Sequence, residues 1–227
     1  MCFSAVASFA TAALTSVIGL AALNRATQWR ERPLAAMPLA FGLQQAIEGG
    51  LWLVLPTAPH GPLASGLALM FLLIAQVFWP VYAPLAALAL EPERRRRQLM
   101  LTCLAAGGGV AGVFAWRLLN GPHEAAIMNR CIVYRTQGGA PLLIGLAYLC
   151  ATSLPLILSS RRTIVVLGAI TLSGCVVAYR FYWAEFLSVW CFFAAAASGV
   201  ILAHFVSIRP ARLRAAMAAA QTLLPGA

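Results

Sequence analysis

Residues 64–90 read ASGLALMFLLIAQVFWPVYAPLAALAL, and residues 91–97, which follow, read EPERRRR. The first stretch has 27 residues without a charged side chain, more than the roughly 20 that a helix needs to cross a bilayer. The whole chain has the same character, because 62% of its residues are hydrophobic and 10% are charged. A soluble domain carries about 25% charged residues. This composition predicts a membrane-embedded protein.

Similar apolar stretches recur along the chain and predict an all-α integral membrane bundle of about seven transmembrane helices. The predicted spans lie near residues 4–24, 33–55, 64–90, 98–119, 141–160, 163–181 and 184–206. Arginines follow the first span rather than precede it, which is the wrong polarity for a cleaved signal peptide. We expect residues 1–206 to form one transmembrane domain. Residues 207–227 then form a short cytoplasmic interfacial helix or a tail.

The basic residues indicate the orientation of this bundle. All 16 basic side chains are arginine and all 6 acidic ones are glutamate. Twelve arginines fall on one side of the predicted spans: Arg25, Arg30, Arg32, Arg94 to Arg97, Arg161, Arg162, Arg209, Arg212 and Arg214. Short cytoplasmic loops are enriched in arginine, so we expect the N-terminus outside and the C-terminus in the cytoplasm. The positive charge then serves topology and contact with the lipid bilayer, and we expect no nucleic-acid partner.

The residue types that are missing exclude several activities. Without lysine there is no retinal Schiff base and no phosphate-binding loop of the Gly-Lys-Ser/Thr type. Without aspartate there is no aspartyl dyad and no aspartate-rich magnesium site. A serine–histidine–acid triad would need glutamate as its third member.

Glu48 is the clearest functional candidate, because an ionisable group inside a span is costly and usually functional. Gln44, Glu48 and Trp52 recur at intervals of four and share one helix face. We predict an outward-facing polar cavity that binds a ligand. Its predicted residues are Glu48, Gln44, Trp52, Gln76, Arg117, Arg180 and Glu185.

Structural alternatives exist for each of these residues. Glu48 is then a buried partner of Gln76 or of an arginine, while Arg117, Arg180 and Glu185 extend to the membrane interface.

Two further patterns accompany this cavity. Gln76, Trp79 and Tyr82 are spaced by three on a helix interrupted by prolines, and such a kinked helix either lines a cavity or only packs. Residues 107–109 are three consecutive glycines, which favour close approach to another helix over a flat ligand.

The cysteines suggest a candidate disulfide and no metal site. Cys2 and Cys131 both fall on the oxidising side and are candidates for a disulfide. No spacing typical of a metal site occurs, and the sequence identifies no cofactor.

Three functions remain open. The first is a protein that binds or transports a small ligand or ion through the cavity around Glu48. The second is an accessory subunit of a larger membrane complex, holding lipid, pigment or haem against the glycine-rich helix. The third is an integral-membrane enzyme, although no nucleophile–base pair occurs at a recognisable spacing.

The opening residues Met1 to Ala5, MCFSA, resemble an uncharacterised bacterial family of small multi-pass membrane proteins. Further matches are QAIEG at residues 45–49, Glu91-Pro92 with the arginines of 94–97, Ser159-Ser160, and SVWC at residues 188–191 with His204 downstream. The resemblance covers nearly the whole chain and implies a multi-pass protein of the bacterial cytoplasmic membrane. It adds weight to Cys2, Glu48, Trp190, Cys191 and His204, and it implies no particular activity.

Overall fold

The computed structural model describes residues 4–128, 130–136, 142–181, 189–190, 193, 195 and 197–207, and it is mostly helical. The helices are α1 (Ala5–Leu23), α2 (Arg32–Val54), α3 (Pro62–Leu72), α4 (Trp79–Leu90), α5 (Arg94–Asn120), α6 (Leu142–Ile157), α7 (Arg162–Phe181) and α8 (Ser198–Ser207). A 3-10 turn, Trp29–Glu31, precedes α2, and a π-helical turn, Leu73–Phe78, joins α3 to α4. Two strands, β1 (His123–Met128) and β2 (Cys131–Thr136), lie between α5 and α6.

The helices α1 and α2 form a tightly packed antiparallel pair. Ser4 caps α1, since its side chain accepts the N–H of Ala7. The two helices approach closely at Gly42 of α2, where an added Cβ would lie 2.5 Å from Ser16 Oγ. Small residues at such a contact let backbones approach and gain dispersion energy, the main attraction between helices in a membrane.

The π-helical turn follows directly from Pro80, which has no backbone N–H. In this turn the N–H of Trp79 bonds Ile74 O, five residues back, so the carbonyl of Ala75 loses its α-helical donor. The next N–H that could reach Ala75 O would belong to Pro80, which has none. Tyr148 of α6 supplies the missing donor, because its hydroxyl bonds Ala75 O. A proline in α4 thus creates the backbone acceptor that holds α6.

A second proline, Pro84, leaves a backbone carbonyl of α4 that α5 packs against. Pro84 cannot donate to Pro80 O, and Gly107 of α5 packs against that carbonyl so closely that an added Cβ would overlap it. No described heavy atom lies within 4 Å of the Cβ positions of Gly108 and Gly109. The prediction that the glycines serve helix packing therefore fits Gly107, and its two neighbours leave open space.

The strands correct the expectation of an all-α chain. Residues 123–136 fall in what the sequence predicts to be a long connection, but β1 and β2 pair antiparallel with Met128 opposite Cys131. Arg130, between them, has a φ of 58°, the left-handed conformation that tight hairpin turns use. Tyr134 of β2 stacks on Phe71 of α3, with ring centroids 4.3 Å apart, so the hairpin packs on the helices.

The distribution of apolar residues fits a membrane protein. Four helices in the described part are long and apolar enough to cross a membrane: Ala5–Leu23, Pro62–Leu90, Arg94–Asn120 and Arg162–Phe181. Large hydrophobic side chains are exposed on their surfaces, such as Val6 at 78% and Trp116 at 70%. The predicted spans up to residue 181 coincide with helices to within a few residues, while most of the stretch 182–196 lies outside the described residues.

Candidate functional site

The helix α2 carries three polar side chains that are almost completely buried. Gln44 and Glu48 are 0% exposed and Gln45 is 1% exposed. Gln45 Nε2 donates to Glu48 Oε2 at 3.4 Å, and Trp79 Nε1 of α4 donates to Gln44 Oε1 at 2.8 Å. We call Gln44, Gln45 and Glu48 the α2 polar row. Burial of such groups is unfavourable unless they are hydrogen-bonded, and Gln45 Oε1 has no hydrogen-bond partner among the described residues.

Trp79, which donates to Gln44 of this row, also lines a cavity of about 40 Å³. We call it the aromatic cavity, and its lining comes from α2, α4, α6, α7 and Trp190. The lining residues are Met37, Phe41, Trp79, Ala83, Tyr148, Thr152, Leu156, Leu167, Thr171 and Trp190. The Phe41 and Trp79 rings stack at 4.0 Å, and Tyr148 meets Trp190 edge to face at 5.5 Å.

The polar atoms of this lining are bonded to protein. Trp190 Nε1 donates to Thr171 O at 3.1 Å, and Thr171 Oγ1 donates to Leu167 O at 2.9 Å. Thr152 Oγ1 donates to Tyr148 O at 3.0 Å. The cavity therefore presents aromatic rings and methyl groups to an occupant. The volume is about a quarter of the roughly 150 Å³ of an apolar cavity that binds benzene, so this cavity suits a neutral or apolar molecule of only a few heavy atoms.

The residues predicted to form the polar cavity lie in several places. Trp52 is half-buried in an apolar cluster with Leu51 and Leu55, and its indole N–H has no hydrogen-bond partner among the described residues. Gln76 lies in the π-helical turn and is 9% exposed. Arg117 is half-buried near the end of α5.

The remaining predicted residues lie at or beyond the helix ends. Arg180 is exposed, with its guanidinium 5.5 Å from the ring of Phe181. Glu185 and Cys2 lie outside the described residues, while Cys131 is buried at the start of β2. The Cys2–Cys131 disulfide therefore stays a prediction.

Sequence reasoning misses the role of Tyr148 and understates that of Trp79. The spacing of Trp79 with Gln76 and Tyr82 marks it only as part of a kinked helix, although it proves to be the partner of Gln44. The sequence signal for Tyr148 is a lone phenol in an otherwise apolar helix. A buried hydroxyl in such a helix needs an acceptor, and Pro80 provides one by leaving Ala75 O without its donor.

A second buried carboxylate lies at the arginine-rich end of the bundle. Glu91, 2% exposed, accepts hydrogen bonds from the backbone N–H groups of Ser160 (2.8 Å) and Glu93 (3.2 Å). The hydroxyl of Ser160 also bonds it, and that of Ser159 lies at 3.4 Å. Burial tends to raise the pKa of Glu91, but these hydrogen bonds outweigh burial and hold the pKa below its ordinary value.

The arginines beside Glu91 complete this junction. Arg96 donates to Leu158 O at the end of α6, at 2.7 Å, and Arg97 donates to Leu88 O at the end of α4, at 3.0 Å. Cations at helix C-termini satisfy the last carbonyl groups and favour the helix dipole. The junction therefore fixes α4, α6 and α7 to one another, and its chemistry is structural.

Within the residues described, no group of three or more histidine, cysteine or acidic side chains is arranged to hold a metal ion. At the arginine-rich end, Thr163 Oγ1 and His204 Nδ1 lie 3.0 Å apart and join the start of α7 to α8.

Comparison with known proteins identifies a family for this chain. No curated protein and no solved structure matches it. A family model of unknown function matches residues 1–218 and confirms the expectation of an uncharacterised family. The chain belongs to the DUF6629 family, a family of unknown function.

Proposed function

We propose that this chain is a membrane protein that binds or transports a small ligand inside its helical bundle. The ligand occupies the aromatic cavity, and the α2 polar row, with Glu48 as its acid, lies beside this cavity and is joined to its wall by the hydrogen bond from Trp79 to Gln44. The observation that carries the proposal is the cavity between Trp79, Tyr148 and Trp190.

The hydrogen bonding of the cavity wall defines the ligand class. A site built to bind a polar ligand leaves donors and acceptors directed into its cavity. Here the indole and hydroxyl groups of the wall are bonded to the protein, so recognition comes from ring faces and shape. We infer a small neutral ligand with little hydrogen-bonding capacity.

We propose that Glu48 lies between the cavity and the outer end of the bundle. It lies one helical turn beyond Gln44 along α2, towards the end that we expect to face outside. A buried carboxylate favours a cation or a transferable proton. Because the cavity suits a neutral ligand, we propose that Glu48 acts on the path between the outer surface and the cavity and does not contact the bound ligand. Gln76, Arg117, Arg180 and Glu185 remain proposed contributors to that path.

We propose the following membrane arrangement for this function. The chain crosses the bilayer seven times, with the N-terminus outside and the arginine-rich end in the cytoplasm. It resides in the cytoplasmic membrane of a bacterium, with residues 207–227 on the inner leaflet. The support is the 12-to-4 division of arginines together with the four long apolar helices.

The second candidate is an accessory subunit of a larger membrane complex. It is favoured by the extent of the exposed apolar surface, such as Val17 of α1 at 64% and Leu119 of α5 at 70%, which suits contact with other subunits as well as lipid. An enzymatic role has less support, since the sequence has no nucleophile–base pair at a recognisable spacing.

The experiment is to extract the protein gently and identify by mass spectrometry the small molecules that it releases. The wild type is compared with Ala83→Leu, which fills the cavity, and with Ala105→Leu, the same change at an exposed position of α5. We expect a neutral small molecule from the wild type and Ala105→Leu, and at least a tenfold loss in Ala83→Leu. Equal release from all three proteins would contradict the cavity site.

Glu48→Gln tests the acid separately. We expect this variant to lose ligand binding or flux while it keeps its fold. Unchanged release of the molecule together with a much lower thermal stability would assign Glu48 a structural role instead.

A further inference from the structure

The outer surface of the π-helical turn and α4 carries an open apolar groove of about 460 Å³. Its lining residues are Leu73, Ile74, Val77, Phe78, Val81, Tyr82 and Leu85. Phe78 and Tyr82 stack at 4.5 Å and form a rigid wall, while Leu85 is 42% exposed at the open side. The lining spans twelve residues of helix rise, about 18 Å. One leaflet of the hydrocarbon core is about 15 Å thick, so the groove has the length of one acyl chain.

The groove ends beside exposed positive charge. The hydroxyl of Tyr82 donates to Pro33 O at 2.9 Å, which brings the first turn of α2 against the groove wall. The 3-10 turn Trp29–Glu31 also packs against α4. Arg30 and Arg32 are exposed there, and Trp29 is 72% exposed. Two exposed cationic heads and an indole therefore lie at one end of the groove.

The single acid of this turn is directed inward. Glu31 is 1% exposed, and its Oε2 accepts the backbone N–H groups of Thr27 (3.0 Å) and Gln28 (3.2 Å). These bonds fix the turn while its carboxylate is buried, so the surface that faces the headgroup region is positive. An anionic headgroup next to an apolar groove matches this surface in both charge and shape.

We propose that this groove and turn form a binding site for one anionic phospholipid. An acyl chain lies along the residues of the groove, and the phosphate contacts Arg30 and Arg32, with Trp29 at the level of the headgroups. A second copy of the chain fits this surface poorly, because each copy carries a net charge of +10 and would bring like charge to it. The site rests on the proposed membrane embedding and is independent of the ligand in the aromatic cavity.

The test is lipid binding to the delipidated, detergent-solubilised full chain, counted by native mass spectrometry. Phosphatidylglycerol and phosphatidylcholine with the same acyl chains are the probes. We expect one phosphatidylglycerol to bind at least tenfold more tightly than phosphatidylcholine. Removing two arginines near a membrane surface lowers affinity for anionic lipid about 30-fold. Arg30→Gln/Arg32→Gln should therefore show a loss of that size.

Matched variants separate this site from general surface charge. Arg94→Gln/Arg95→Gln removes two exposed arginines from the first turn of α5 and should change affinity by less than about threefold. Val81→Phe narrows the groove and should weaken both lipids, whereas Val113→Phe, on the exposed face of α5, should weaken neither. Each variant is first checked for an unchanged thermal unfolding midpoint in detergent, and one that fails is replaced by Arg→Ala or Val→Leu at the same position.

Three results would overturn the proposal. Equal affinity for the two lipids would show that Arg30 and Arg32 do not bind an anionic headgroup. Equal losses from the two arginine pairs would show a diffuse basic surface. Unchanged binding in Val81→Phe, or displacement of the lipid by inorganic phosphate alone, would show that the groove does not hold the acyl chain.

Discussion

The side chain of Glu91 shows how a single carboxylate can organise one end of the bundle. It is buried immediately after α4, and its donors come from Glu93 and from the pair Ser159 and Ser160, almost seventy residues away. Hydrogen bonds to a charged group contribute about 1.5–3 kcal/mol each, more than neutral ones. Ionised Glu91 therefore holds the start of α7 to the end of α4.

We expect Glu91→Gln to lower the free energy of unfolding by about 1–3 kcal/mol at neutral pH, because the amide loses the charge and places a donor against Ser160. The pKa of Glu91 is lowered in the folded protein, so its contribution is present above the unfolded pKa of about 4.3. It is lost as the pH falls through the folded pKa. Denaturant unfolding in detergent between pH 7 and pH 3 measures both effects.

Glu93→Gln is the matched control for this prediction. Glu93 is exposed and pairs with Arg96 at 2.6 Å, an arrangement that contributes at most about 1 kcal/mol. We predict that the stability difference between Glu91→Gln and wild type shrinks in acid. A difference that stays constant down to pH 3 would contradict it.

The residues of the candidate site could be predicted from sequence only in part. The cost of burying Glu48 and Gln44 in an apolar helix marks them as candidates from sequence alone, and both are fully buried. Their partners could not be predicted, because Trp79 lies 35 residues from Gln44 and reaches it only through helix packing. Gln45 donates to Glu48, yet the sequence pattern does not single it out, because it lies off the face shared by Gln44 and Trp52.

At the scale of elements, the π-helical turn and α6 depend on each other through one hydrogen bond. Pro80 leaves Ala75 O without a backbone donor, and Tyr148 replaces that donor. An unpaired buried carbonyl is unfavourable by about 1–3 kcal/mol, so Tyr148→Phe should destabilise the protein by about that amount. The measurement is thermal or denaturant unfolding in detergent.

A double-mutant cycle tests the cause of this loss. Pro80→Ala restores an N–H that can reach Ala75 O, so Tyr148→Phe should be less destabilising in that background by about 1 kcal/mol or more. Additive effects of the two changes would show that the proline does not create the need for Tyr148.

The contact between α4 and α5 depends on a single glycine of the three. An added methyl at Gly107 would overlap Pro80 O, whereas an added methyl at Gly109 meets open space. We expect Gly107→Ala to destabilise the protein by about 1–3 kcal/mol through displacement of α5. Gly109→Ala should stabilise it by up to about 1 kcal/mol, since alanine is the better helix former. Unfolding of the two variants side by side gives the comparison, and equal effects would contradict this packing.

The elements themselves differ in how far they could be predicted. The helices could be predicted, because an apolar segment long enough to cross a membrane must satisfy its own backbone hydrogen bonds and therefore forms a helix. The strands of residues 123–136 were not, because the alternation of Ala125, Ile127, Ile132 and Tyr134 is short and weak. A signal was present, since Ile127 and Ile132, which favour strands, lie on either side of a turn whose two central residues are 129 and 130.

At the scale of the whole molecule, composition predicts the environment more securely than the function. The small charged fraction and the placement of arginines indicate a membrane, and the four long apolar helices agree with that. The helix with the candidate site, α2, is absent from these four, and it contacts α1, α3 and α4. Its glutamines, glutamate and prolines interrupt an otherwise apolar sequence. The cavity beside it arises from five separate segments and could not be predicted from any one of them.

The most direct test of the central claim is an electron-density map of the gently extracted wild-type protein beside that of Ala83→Leu. We predict density from a small molecule between Trp79, Tyr148 and Trp190 in the wild type, and none there in the filled variant. An empty aromatic cavity in the wild type, with Gln44 still bonded to Trp79, would contradict the claim that this bundle holds a ligand.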